Sequence, residues 1–326
     1  MGKKRGVEAK LARLGSLGKE AISPASVAEL RKFLADASNL VVAETANIVS
    51  KANVPDFEPD LVAAFDRFMI NPDVTDKQCR AKLAIVEALN KLDHERPEIF
   101  LRAIHHVQFE PVWGGTQDTA GHLRGTAAFG LVRIGHRDAL PLLVDLLVDP
   151  EKVARVAAIQ ALESMGSMAA VPLLRLKARV GDEEPEVTCE CLAALLRREP
   201  EAVAFVAEFL RGGDDAIREA AALALGETRP PGAFEVLSDC AAGLSSGSLQ
   251  EAVLLAIAML RQPAAIDFLI GQISKEYTTR AAVSALAIHR HNEAVRERVA
   301  SAVASLKDPD LTAWFQRKFS VTPEKR

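Results

Sequence analysis

Alanine and leucine recur along this chain at helical spacing. In the stretch from Lys152 to Gly166, KVARVAAIQALESMG, Val153, Ala154, Ala157, Ala158, Ala161, Leu162 and Met165 fall on one broad arc of a 3.6-residue helix. Lys152, Arg155 and Glu163 fall on or near the opposite arc. The small alanines admit a neighbouring helix at close range, and Leu162 supplies bulk. Gly166 is free to take the positive φ that ends a helix.

Variants of this stretch recur, each with a large aliphatic anchor after a small-residue run. The anchors are Leu89, Leu131, Leu162, Leu195, Leu225, Ile257 and Leu286, in steps of 29 to 42 residues, and a weaker copy ends at Ile48. A second apolar helix sits between anchors, as in ALPLLVDLLVDP before the Leu162 copy. Self-similarity on this scale marks stacked helix pairs that cannot bury their apolar faces alone. The pattern predicts an all-α fold, a right-handed α-α superhelix of about eight helix pairs over residues 23–319. A basic flexible leader, 1–22, is expected before it and a flexible tail, 320–326, after it.

Local signals place the ends of the helices. Ser23-Pro24 reads as a cap followed by proline at the first helical position. Asp76 reads as the cap of the helix that carries Leu89. Short breakers such as Asp149-Pro150, Gly181-Asp182, Gly212-Gly213 and Gln262-Pro263 separate the periodic segments. The longest interruption is residues 108–118, QFEPVWGGTQD, which accounts for the 42-residue step. Asp118 or Thr119 is expected to cap the helix after it. Trp314, Phe315 and Phe319 in the last helix are expected to cover the face of the final repeat, which lacks a neighbour.

Composition sharpens the picture. Of 326 residues, 49% are hydrophobic and only 5% aromatic, so alanine and leucine must do the packing and almost no sheet is expected. The net charge of −4 is uneven: residues 1–20 carry +4, residues 316–326 carry +3, and the body between carries −11. An acidic body argues against nucleic acid, whose phosphates demand basic clusters. The leader would be the only route to nucleic acid, and it reads as a solvated run. The four cysteines, Cys79, Cys189, Cys191 and Cys240, read as reduced, half-buried thiols. No apolar run approaches the ~18 residues of a membrane span, and no secretory signal follows the basic start. A cytoplasmic protein is expected.

The copies LPLLVDLLVDPEKVARVAAIQALESMG and FVAEFLRGGDDAIREAAALALGET resemble HEAT-like repeats of the short, bacterial, phycobilisome-lyase type. In that pattern a leucine-rich first helix ends at Asp, and a second helix begins Val-Arg and carries A-A-x-x-A-L-G. Residues 76–290 match it and residues 24–72 match loosely. The resemblance implies an armadillo-like curved superhelix whose second helices line the concave side. It is specific for fold and nearly silent on activity.

Three features are candidates for function. The interruption groups Glu110, Trp113, Asp118 and His122 beside the flexible Gly114-Gly115. Residues six and three before the anchors, among them Val156, Ile159, Leu192 and Leu254, are expected to form an exposed aliphatic row for a partner segment. Arg124, Arg155 and Arg218, seven before their anchors with Lys82 equivalent, either form a basic ladder or bond turn acids such as Asp149 and Asp214. No catalytic residue, cofactor site or metal site is expected. His94-Glu95 is a single His-Glu dipeptide, too little for a di-iron centre, and no phosphate loop or Cys/His metal spacing occurs.

The leading expectation is a non-enzymatic scaffold that binds a partner protein in the groove of the solenoid. It uses Trp113, Asp118, His122, Arg124, Arg155, Val156, Ile159, Leu192, Arg218 and Leu254. The alternative is a lyase-like protein handling a chromophore or small molecule near residues 105–122, with His105, His106, Trp113, Asp118 and His122 beside a closed cavity.

Overall fold

The computed structural model describes residues 2–20, 23–244 and 246–320. Beyond Ser320 the expected tail lies outside the described residues, as does Ser245 in the turn expected there. The chain divides into two compact units, residues 1–166 and 167–326.

In the first unit α1 (Gly2–Leu17) precedes the pair α2 (Pro24–Leu34) and α3 (Asn39–Ala52). Then come α4 (Glu58–Phe68), the single turn α5 (Pro72–Thr75), α6 (Arg80–Lys91) and α7 (Glu98–Ile104). The strands β1 (Phe109–Val112) and β2 (Gly115–Asp118) follow, then α8 (Gly121–Arg133), α9 (Ala139–Leu146) and α10 (Lys152–Ser164). The second unit holds the pairs α11 (Ala170–Val180) with α12 (Pro185–Arg198), and α13 (Val203–Leu210) with α14 (Asp215–Thr228). Next are α15 (Ala233–Ala242) with α16 (Ser248–Met259), and α17 (Pro263–Gln272) with α18 (Thr279–Leu286). The helices α19 (Glu293–Ser305) and α20 (Pro309–Phe319) close it. The protein is all-α in class, with its helices packed as sequential pairs.

Second helices pack on one another in sequence: α3, α6, α8 and α10 in one unit, and α12, α14, α16 and α18 in the other. The small residues explain how closely. A Cβ on Gly125 of α8 would stand 2.5 Å from the Cβ of Ala157 in α10. One on Gly226 of α14 would stand 2.7 Å from both Cα and O of Ala256 in α16. Every anchor from Leu89 to Leu286 is fully buried. Ser23 caps α2 with a complete capping box and Pro24 in the first turn, as its sequence predicts.

The leader differs from the flexible segment expected. Residues 2–17 form α1, which packs on α3 and buries Leu14 and Leu17. Their three-residue spacing puts both on one helix face. Two of the leader's basic side chains find acids within the chain: Lys10 pairs with Asp36, and Arg13 forks onto Glu29 while also reaching Glu20. In α20, Leu311 and Phe319 are buried, and three cations, Arg280, Arg317 and Lys318, stand over the Trp314 ring.

Candidate functional site

The interruption folds into an antiparallel hairpin, Phe109 opposite Asp118 and Val112 opposite Gly115. Gly114 turns it at φ +89°, a conformation that glycine adopts without strain. An isolated two-stranded hairpin is marginal in water. This one is held at its base by a network of buried polar side chains.

Gln108 is the hub. Its carboxamide oxygen accepts from Lys82 Nζ at 2.9 Å and from Cys79 Sγ at 3.3 Å, with His106 Nε2 at 3.2 Å. Its Nε2 donates to the Asp76 carbonyl at 2.9 Å and to Glu110 Oε1 at 2.7 Å. Glu110 Oε1 also accepts from the Gln78 amide and from Thr119 Oγ1. Lys82 has no exposed side-chain surface; its ammonium meets Asp76 Oδ2 at 3.2 Å. Asp76 meanwhile accepts from the Ala81 and Lys82 amides, capping α6 across the left-handed residues Gln78 and Cys79. The expected cap is therefore correct in identity but acts across an extra turn.

The second arm of the network is Arg124. It donates to Asp118 Oδ2 at 2.6 Å, to the His106 carbonyl at 2.9 Å and, as a two-pronged fork, to both oxygens of Asp149 at 2.7 Å. Asp118 in turn accepts from the Gln108 and Ala120 amides, fixing the turn into α8. Hairpin, α6, α8 and the turn before α10 are thus joined through charge-assisted bonds that leave few donors idle.

Burial pushes both carboxyls of the hairpin base upward, and their bonds more than reverse it. The amide of Gln78, the carboxamide of Gln108 and the hydroxyl of Thr119 bring Glu110 below the usual range. The Gln108 and Ala120 amides and the Arg124 guanidinium do the same for Asp118. Both groups are therefore depressed in the folded chain. Their stabilisation is full above the unfolded carboxyl values, about 4, and is lost as pH falls through the lower folded values. The hairpin is expected to stay ordered down to about pH 4 and to loosen below it. Tryptophan fluorescence titrated from pH 7 to pH 2 reads this, and a transition centred above pH 5 would contradict it. Desolvation dominates elsewhere: it lowers the His106 pKa and lifts the Cys79 thiol to about 11. It lifts Cys189 to about 11 and Cys191 to about 12 as well.

Above this base the hairpin tip is apolar and bare. Trp113 is 103% exposed, with Phe109, Val112 and Val107 also exposed. The structure brings Asp118 and Arg124 together with this element. His122 and His105 are exposed and stay outside the network.

The other candidate residues separate. Arg155 is buried and bonds the carbonyls of Asp149 and Pro150, so it fastens a turn rather than offering charge. Arg218 bonds the Leu210 carbonyl and Asp215, not Asp214. Asp214 instead caps α14. The expected aliphatic row is corrected: Ile159, Leu192 and Leu254 are core residues without exposed surface, and Val156 is half-buried. Residues three before an anchor lie about 60° from it around the helix, inside the packed face. Residues six before it lie about 120° away, at the edge of that face.

Sequence reasoning missed Gln108, His106 and Asp76 as members of one cluster. A signal was present, since Asp76, Asp118 and Asp149 each stand six residues before the basic residues Lys82, Arg124 and Arg155. Elsewhere, His94 Nδ1 meets Glu58 Oε2 at 2.5 Å beside an open cleft of about 990 Å³, and its neighbour Glu95 takes no part. Among the described residues, no group of three or more His, Cys, Asp or Glu is arranged to hold a metal ion. Among them also, no helix is long and apolar enough to cross a membrane.

Sequential helix pairs with close-packed second helices define a helical-repeat protein. Residues 115–187 and 175–256 match the model of HEAT repeats. That segment carries HEAT repeats. It is similar to a chain in the complex of CpcE and CpcF of phycocyanin lyase from Nostoc sp. PCC7120. That likeness has 19% identity and a TM-score of 0.36, covering 75% of this chain and 92% of that one. An engineered protein is similar at 16% identity and a TM-score of 0.36, covering 94% and 93%. No curated protein matches.

Proposed function

We propose that this chain is a non-enzymatic scaffold that grips a partner protein, with the hairpin as its anchor. One observation carries the reading: a fully exposed tryptophan stands on a hairpin whose base is locked by buried hydrogen bonds. Tryptophan dominates binding energy at protein interfaces, and a pre-ordered mount lowers the entropy lost on association. Phe109 and Val112 extend the contact, and Arg124 and Asp118 act as supports that fix its position. The buried polar groups of residues 106–119 are bonded to one another and to α6 and α8, which favours support of an interface over handling of a small molecule. The four free thiols and the acidic body accord with a cytoplasmic setting.

The test is crosslinking mass spectrometry in the native cell with the parent chain and Trp113→Ala. Partner crosslinks around residues 107–118 are expected in the parent. The variant is expected to lose them, with binding weakened by roughly thirtyfold or more, the loss of about 2 kcal/mol typical of an interface hot spot. Its unfolding midpoint is expected to stay unchanged, since the removed ring touches solvent. A variant that keeps every partner crosslink would refute the anchor.

A further inference from the structure

The helices α3 and α6 run side by side and carry the same register along one surface groove. On α3 this is Leu40, Ala43, Glu44 and Asn47; on α6, forty residues on, it is Arg80, Leu83, Ala84 and Glu87. Spacings of three, four and seven put each set on one stripe. Together with Leu11 of α1 the two stripes line a groove of about 370 Å³, to which α2 and α4 contribute nothing. Its apolar floor is Leu11, Leu40, Ala43 and Leu83, and Leu40 is 38% exposed. A volume this small is at the lower end for a ligand site. It is sized for one or a few side chains of a partner segment.

Charge decides what kind of side chains. Glu44 and Glu87 stand on the lining, and among the described residues neither carboxylate has an ion pair. The one cation on the lining, Arg80, turns its guanidinium to Gln78 Oε1, with both bonds at about 3 Å. The groove therefore offers an apolar floor, two carboxylates that pair with no cation among the described residues, and the half-buried carboxamide of Asn47. A neutral aliphatic segment leaves those carboxylates unpaired, and an acidic one is repelled.

We propose that this groove binds an extended peptide segment of a partner protein, one that places an aliphatic side chain between lysines or arginines. The aliphatic group fills the floor, its basic neighbours meet Glu44 and Glu87, and Asn47 bonds the peptide backbone. The inference rests on the scaffold reading for the existence of a partner, but not on the hairpin.

The experiment is fluorescence anisotropy on the full chain with a labelled Lys-Leu-Lys peptide flanked by glycines. Glu-Leu-Glu and Lys-Ser-Lys peptides serve as controls. The basic aliphatic peptide is expected to bind at least fivefold tighter than either control. The double variant Glu44→Gln with Glu87→Gln is expected to weaken it about tenfold, as two partly exposed ion pairs would. Both residues reach solvent, so the variant is expected to fold as the parent does. Trp113→Ala is expected to leave the peptide affinity unchanged. Equal binding of the three peptides would overturn the groove, as would a double variant that binds like the parent or a loss on Trp113→Ala. If the peptides fail while Trp113→Ala still strips partner crosslinks, the groove falls and the hairpin anchor stands.

Discussion

Replacing Arg124 with methionine is expected to lower the stability of the first unit by about 3 kcal/mol. The guanidinium is buried and answers two carboxylates, Asp118 and Asp149, and one carbonyl. Removing one member of a buried ionic group costs about 3–5 kcal/mol, because the partner charges stay behind. The low end applies here. Asp118 keeps two amide donors and Asp149 keeps the Glu151 amide. Arg124→Lys is expected to recover only part of the loss, since an ammonium cannot fork onto Asp149. Urea unfolding followed by circular dichroism gives the number. A methionine variant within 1 kcal/mol of the parent would mean that the guanidinium contributes little beyond filling space.

The second large effect concerns packing. Gly226→Ala is expected to destabilise the second unit by about 2 kcal/mol. Alanine is the better helix former by about 1 kcal/mol, which favours the variant. Overpacking costs about 1–3 kcal/mol and more where the contact is rigid. The new Cβ would meet backbone atoms of Ala256, so rigidity wins. Gly125→Ala meets the Cβ of Ala157 and little else. Adding Ala157→Gly is expected to restore the first unit to within about 1 kcal/mol of the parent, because the methyl has only changed helices. Adding Ala256→Gly to Gly226→Ala is expected to restore little. Equal rescue at both sites would refute the difference in contact.

The fold was legible because close helix packing demands small residues at fixed spacing. Anchors such as Leu162 and Leu225 repeat that demand, and all are buried. The exposed row was misplaced because hydrophobic residues three before an anchor look equivalent in sequence to those six before it. Only the rotation about the helix separates Val86, which is core, from Leu83, which lines the groove. The hairpin was recognised as an inserted segment from Trp113 and its glycines. Its base was not, because Gln108 joins residues from Asp76 to Lys82, and local periodicity carries no trace of such pairings. The leader was read as solvated because Lys10 and Arg13 were counted without the acids of α2 and its C-terminal turn that they meet.

Lys82 lies in the heart of the first unit, yet its ammonium is two hydrogen bonds from the strand that carries the hairpin. The indole of Trp113 is therefore the far end of a lever whose fulcrum is inside the solenoid. Small shifts of α6 against α8 would be magnified at the tip. The aim of the tip is set from within, by an ammonium and a carboxamide that solvent does not reach.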